Sequence, residues 1–134
     1  MLRLNSPLRS HRALDETEGD IADDSVGENH AAVMGNAVWQ PTGGVVEGAL
    51  LLDGVDDYVV TEYVRDPSEG LLSVFAWVKG GARGQVVVSQ LWGVNWLMAD
   101  GAQGNLMTEL REAAHTAEPL VSEVTITEGN WHEV

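Results

Sequence analysis

The 134-residue chain contains no cysteine. That excludes a disulfide framework, thiolate catalysis and cysteine-ligated zinc. Basic residues are scarce as well: seven Lys plus Arg stand against 21 Asp plus Glu, a formal net charge of −14. A field of that sign repels phosphate backbones and anionic lipid, so neither nucleic acid nor a membrane surface is an expected partner. It suits cations and neutral sugars, and it also serves solubility alone. No apolar run approaches the roughly 18 residues of a membrane span, so no membrane insertion is expected. Residues 1–10 carry Arg3 and Arg9 but no apolar stretch, so no secretory signal peptide is expected within this chain.

What is present is a globular composition, 44% hydrophobic and 21% charged, at a length that suits one domain. Residues 1–10 read as an irregular lead-in, with Asn5-Ser6-Pro7 as a breaker cluster. A short strand is expected within His11–Gly19. Brief strands follow at 31–34 and 37–39, around Gly35-Asn36 as a two-residue hairpin turn. Gly48–Val60 is the clearest stretch. The apolar run Ala49–Leu52 and the β-branched run Tyr58–Thr61 flank Asp53-Gly54-Val55-Asp56-Asp57, which reads as a tight acidic hairpin turn.

The second half continues in the same style. Residues 71–79 alternate with period two, which places Trp77 in a core. Residues 85–91 are β-branched, 97–99 are apolar, and 121–127 alternate again. Residues 104–118 carry both periods: Leu106, Met107, Leu110, Ala113 and Ala114 fit a helix, while the surrounding rhythm of short strands and turns fits a strand. The expectation adopted is a strand over about 105–111, then a loop through Pro119. The class is therefore all-β, with two packed antiparallel sheets covering strands that are apolar on both sides.

Five blocks occur in an order that carries a resemblance: His11–Gly19, Asp24–Gly27, Gly48–Val59, Val74–Lys79 and Gly129–His132. Together they resemble the laminin-G-like jelly-roll domains of the concanavalin A-like lectin/glucanase superfold, over residues 11–134. The resemblance implies a two-sheet antiparallel β-sandwich, a jelly roll, and in this chain an incomplete one. Arg12 stands where such domains usually carry Trp. Those domains also continue with further strands beyond the Asn-Trp-His block. Uncovered strand edges are then expected to make the chain marginal and prone to self-association unless a partner supplies strands.

Three kinds of site come into question. Retaining glycosidases of the superfold need two carboxylates about 5–5.5 Å apart. The nearest pattern, Glu123-Val-Thr-Ile-Thr-Glu128, lacks the central acid and sends its two glutamates to opposite strand faces. No enzyme is expected. His11, His30, His115 and His132 show no metal-ligand spacing. Asp53, Asp56 and Asp57 supply hard oxygens suited to calcium, which many laminin-G-like and pentraxin-like relatives bind at a sheet rim. The competing reading is that they bond backbone N–H groups and fix the turn. Trp92, Asn95 and Trp96 surround a short turn and are the candidates for ligand contact, against simple packing.

The function expected from these features is a non-catalytic binding or adhesion module of a larger exported or cell-surface protein. Its ligand is a carbohydrate or a protein partner, with calcium as the candidate cofactor. The alternative is a structural β-sandwich spacer or a truncated product without independent function. A glycoside hydrolase fragment ranks third.

Overall fold

The computed structural model describes residues 8–62, 70, 72–90, 95–109 and 118–134. The fold is all-β and sandwich-like, with several antiparallel sheets and no helix among the described residues. Among the described residues eleven short strands, β1–β11, make up the sheets. The chain divides into two compact units, Met1–Leu72 and Ser73–Val134.

In the first unit, β1 (Ile21–Ala22), β2 (Ala31–Met34) and β5 (Tyr58–Thr61) form one sheet in the order β1-β2-β5. A separate pair joins β3 (Val38–Gln40) to β4 (Ala49–Leu51). This pairing corrects the expected local hairpins. Neither Gly35-Asn36 nor Asp53–Asp57 turns a strand back onto its sequence neighbour. β2 pairs with β5 and β3 with β4, so the four strands form one long interrupted hairpin whose tip is the 41–48 loop. Between the pairs Met34↔Tyr58 and Val38↔Leu51, one side spends residues 35–37 and the other spends residues 52–57. The unequal lengths force the longer side to loop out, and the acidic residues occupy that loop. Asp-Gly chemistry is satisfied there as in a turn, because it depends on local φ and not on which strands pair.

The strand expected within His11–Gly19 is absent; that segment is irregular. Side chains tether it instead. The Arg12 guanidinium donates to Ser10 Oγ at 2.9 Å and to the Asn29 carbonyl, and the His11 N–H donates to Asp24 Oδ1 at 2.9 Å. Arg12 spends its guanidinium on these polar loop groups, and the first ladder begins at Ile21. There Ala22 and Ala31, directly opposite each other, are buried.

In the second unit, β7 (Val86–Ser89), β8 (Asn95–Ala99), β9 (Asn105–Thr108) and β10 (Leu120–Thr125) form a sheet in the order β10-β9-β8-β7. Residues 105–108 are strand, as the rhythm of the chain predicted over helix propensity; 110–117 lie outside the described residues. Ladder pairing decides the matter, since β9 is held on both sides, by β8 and β10. One face carries an apolar row across all four strands through the pairs Val86↔Met98, Met98↔Met107 and Met107↔Val121. A second pair joins β6 (Trp77–Lys79) to β11 (Trp131–Glu133).

The expected core position of Trp77 is not observed. Trp77 is 51% exposed, and Phe75, two residues before β6, is 71% exposed. Among the described residues β6 pairs with β11 alone, and about half of the Trp77 surface stays uncovered. Trp131 is half-buried, with the Lys79 ammonium 5.9 Å from its ring centroid. Among the described residues the buried apolar side chains are Ala22, Ala31, Ala99 and Ile126. None of the large side chains among the described residues is fully buried.

Candidate functional site

The acidic loop is an organised polar feature of the first unit. Gly54 has φ +75°, which lets the backbone reverse immediately after Asp53. Asp53 Oδ1 then accepts the N–H groups of Val55 at 2.7 Å and Asp56 at 3.3 Å. Asp57 spans the two halves of the interrupted hairpin. Its Oδ1 accepts the Asn36 N–H at 2.6 Å and its Oδ2 accepts the Asp53 N–H at 2.9 Å. Two of the three carboxylates therefore perform the structural work of the alternative reading.

The other ingredient is proximity. One carboxylate oxygen from each of Asp53, Asp56 and Asp57 lies within 4.8 Å of the others. Asp56 is exposed. The Val55 N–H, foremost among its backbone donors, holds the Asp53 carboxyl below its ordinary value, while partial desolvation works against it. Asp53 is thus a charged carboxylate throughout the neutral range. Three carboxylates of this geometry fit calcium, whose six to eight oxygens would be completed by carbonyls and water.

Two other aspartates share the chemistry without the cluster. Asp24, 5% exposed, accepts His11 N–H and Val26 N–H on Oδ1 and Asn29 N–H on Oδ2. The His11 N–H leads a group of donors that hold its carboxyl far below the usual range. Asp100, 8% exposed, accepts Ala102 and Gln103 N–H on Oδ1 and Asn105 N–H on Oδ2, closing the β8–β9 hairpin. The Gln103 N–H is the main cause of its lowered pKa, with the Arg83 charge a smaller one. Both are loop staples, and among the described residues neither belongs to a group of three metal-ligating side chains.

The candidate ligand-contact residues do not form a comparable site. Trp92 lies outside the described residues. Asn95 opens β8, and its Nδ2 donates to Glu109 Oε2 at 2.8 Å while its carbonyl accepts the Glu109 N–H at 3.1 Å. Trp96 is half-buried, with an enclosed indole N–H that has no partner among the described residues. The histidines stay apart: His11 Nδ1 meets Ser25 Oγ at 2.7 Å, His30 Nδ1 lies 3.0 Å from Asp23, and His132 Nε2 lies 3.5 Å from Glu128. His115 lies outside the described residues.

One surface concavity escaped the sequence reading. It is lined by Asp15, Thr17, Pro41, Thr42, Gly44 and Glu47, and is open and shallow. Beside it, Leu14 and Glu47 adopt φ of 57° and 58°, unusual for non-glycine residues. No sequence signal marks it, because its two walls come from loops about 30 residues apart that meet only through the fold.

Compared with known protein families, curated proteins and solved structures, the chain matches none of them. The laminin-G-like resemblance accordingly rests on the five sequence blocks alone.

Proposed function

We propose that the chain is a non-catalytic binding or adhesion module of the laminin-G-like kind, part of an exported or cell-surface protein, that engages a carbohydrate or protein partner with calcium at the acidic loop. The observation that carries this reading is the convergence of Asp53, Asp56 and Asp57 within 4.8 Å at the break between two strand pairs. Backbone N–H groups already anchor Asp53 and Asp57, so the loop is preorganised before any cation arrives. Calcium there would relieve the mutual repulsion of the carboxylates and leave coordination positions on its open side for hydroxyl or carboxylate oxygens of a ligand. The acidity of the whole chain raises the local cation concentration.

The test joins a thermal melt to a binding assay. At about 5 mM calcium the melting temperature should rise by at least ~3 °C, and Asp56→Asn should remove most of that rise. Binding on a glycan array, or to an extracellular-matrix protein panel, should require calcium. No thermal response to calcium would remove the metal from this reading. Calcium-independent binding that survives Asp56→Asn would move the ligand contact elsewhere.

A further inference from the structure

We infer that the free edge of β5 is a strand-addition site for an extended, β-branched segment of a partner protein flanked by Lys or Arg. This site shares Asp56 and Asp57 with the carboxylate cluster but is formed by the strand edge and does not require calcium. β5 ends the β1-β2-β5 sheet, so its outer edge is unpaired among the described residues. Its inner edge is regular: Ala31↔Thr61, Ala32↔Val60, Val33↔Val59 and Met34↔Tyr58 follow without a register shift. Tyr58, Val59 and Val60 are 52%, 37% and 39% exposed, so side chains on both faces await neighbours. A straight, apolar edge of this kind is a template for another strand.

Other long edges are protected. β10 shifts register between Val121 and Thr125, and Ser122 Oγ both accepts the Val124 N–H and donates to the Val124 carbonyl. β7 shifts register twice against β8. Such irregularities and inward local bonds are the usual means of blunting an edge. β5 has none of them and carries no Pro or Lys.

Charge decides the occupant. Asp56 and Asp57 precede β5 and Glu62 follows it. A second copy adding antiparallel about a two-fold axis would pair Val59 with Val60 and so place Asp57 beside Glu62 at both ends. Like charges directly opposite each other destabilise such a pair. A segment with basic residues at both ends meets the same carboxylates favourably and gains affinity at low salt.

The probe is the capped heptapeptide Lys-Thr-Val-Thr-Val-Thr-Lys, compared with its Glu-flanked counterpart, against the full chain. The Lys peptide should bind roughly five- to ten-fold more tightly at about 20 mM salt, with the ratio shrinking at about 500 mM. It should slow amide exchange at residues 58–61, and N-methylation of alternate peptide amides should abolish binding. Glu62→Lys, at an exposed position outside the ladder, should narrow or invert the preference while leaving the melt unchanged. Equal affinity of the two peptides, or protection confined to β7 or β10, would overturn the proposal. So would protection of 58–61 that grows with protein concentration in the absence of peptide.

Discussion

The carboxylate of Asp57 accepts the backbone N–H of Asn36 at 2.6 Å, across the break between the β2–β5 and β3–β4 ladders. Its second oxygen holds the Asp53 N–H at 2.9 Å, so one side chain fastens the short crossing to the long one. Replacing it by Ala leaves two backbone donors to water and should cost about 1–2 kcal/mol in urea unfolding. Asp57→Asn should fall between, because an amide presents only one acceptor oxygen to two N–H donors. An Ala variant as stable as the parent would show that the crossings are held by other means.

Gly35 should be nearly irreplaceable at the same crossing. It has φ +86°, and an added Cβ would lie 2.9 Å from the Asp57 Cα. The neighbour is backbone and cannot rotate away. Gly35→Ala is expected to destabilise by about 2 kcal/mol or more, through strain at positive φ and displacement of the Asp57 staple. Calorimetry of the variant checks this; an unchanged melting temperature would contradict it.

Acid should weaken the fold in a defined direction. Asp24, Asp53 and Asp100 all have carboxyls lowered by backbone N–H donors: principally His11 for Asp24, Val55 for Asp53 and Gln103 for Asp100. A lowered folded-state pKa means that the unfolded chain, with carboxyls near 3.9, binds more protons across the acid range. Their stabilisation is therefore essentially complete well above the unfolded value and is lost progressively as pH falls from about 5, through 3 and on down to the lowered folded-state values. The melting temperature should drop through that window, and Asp24→Asn should melt lower at neutral pH while showing a shallower acid limb. An identical acid limb in the variant would remove Asp24 from the account.

Ile126 is the largest side chain among the buried apolar residues, at 3% exposure, and its N–H donates to the Gly104 carbonyl at 2.9 Å. With so few buried apolar groups among the described residues, its loss should be felt more than that of any exposed valine. Ile126→Ala should cost about 2–4 kcal/mol and Ile126→Val about 1 kcal/mol, while Val124→Ala on exposed β10 should change little. Parallel urea titrations distinguish them.

Strand positions were legible because β-branched and alternating runs such as Tyr58–Thr61, Val86–Ser89 and Leu120–Thr125 advertise a pleated surface locally. Partners were not. Asp53-Gly54 has the chemistry of a hairpin turn, yet β4 and β5 belong to different ladders, because unequal spans at 35–37 and 52–57 decide pairing and no local propensity encodes them. Trp77 shows the same limit: alternation marks two faces, and only tertiary structure says which face is covered. The carboxylates of Asp53, Asp56 and Asp57 were visible as a set because they lie within five residues. The role of Asp57 in holding Asn36 was hidden, since it depends on a contact across 21 positions.

The most direct test is a calcium titration of the isotopically labelled chain followed by amide and carboxylate NMR. The account predicts saturable shifts centred on residues 53–57, extending to Asn36 through the Asp57 carboxylate, and lost in Asp56→Asn while the remaining spectrum is preserved. Shifts spread evenly over the acidic surface, or none at millimolar calcium, would contradict a cation site at this loop.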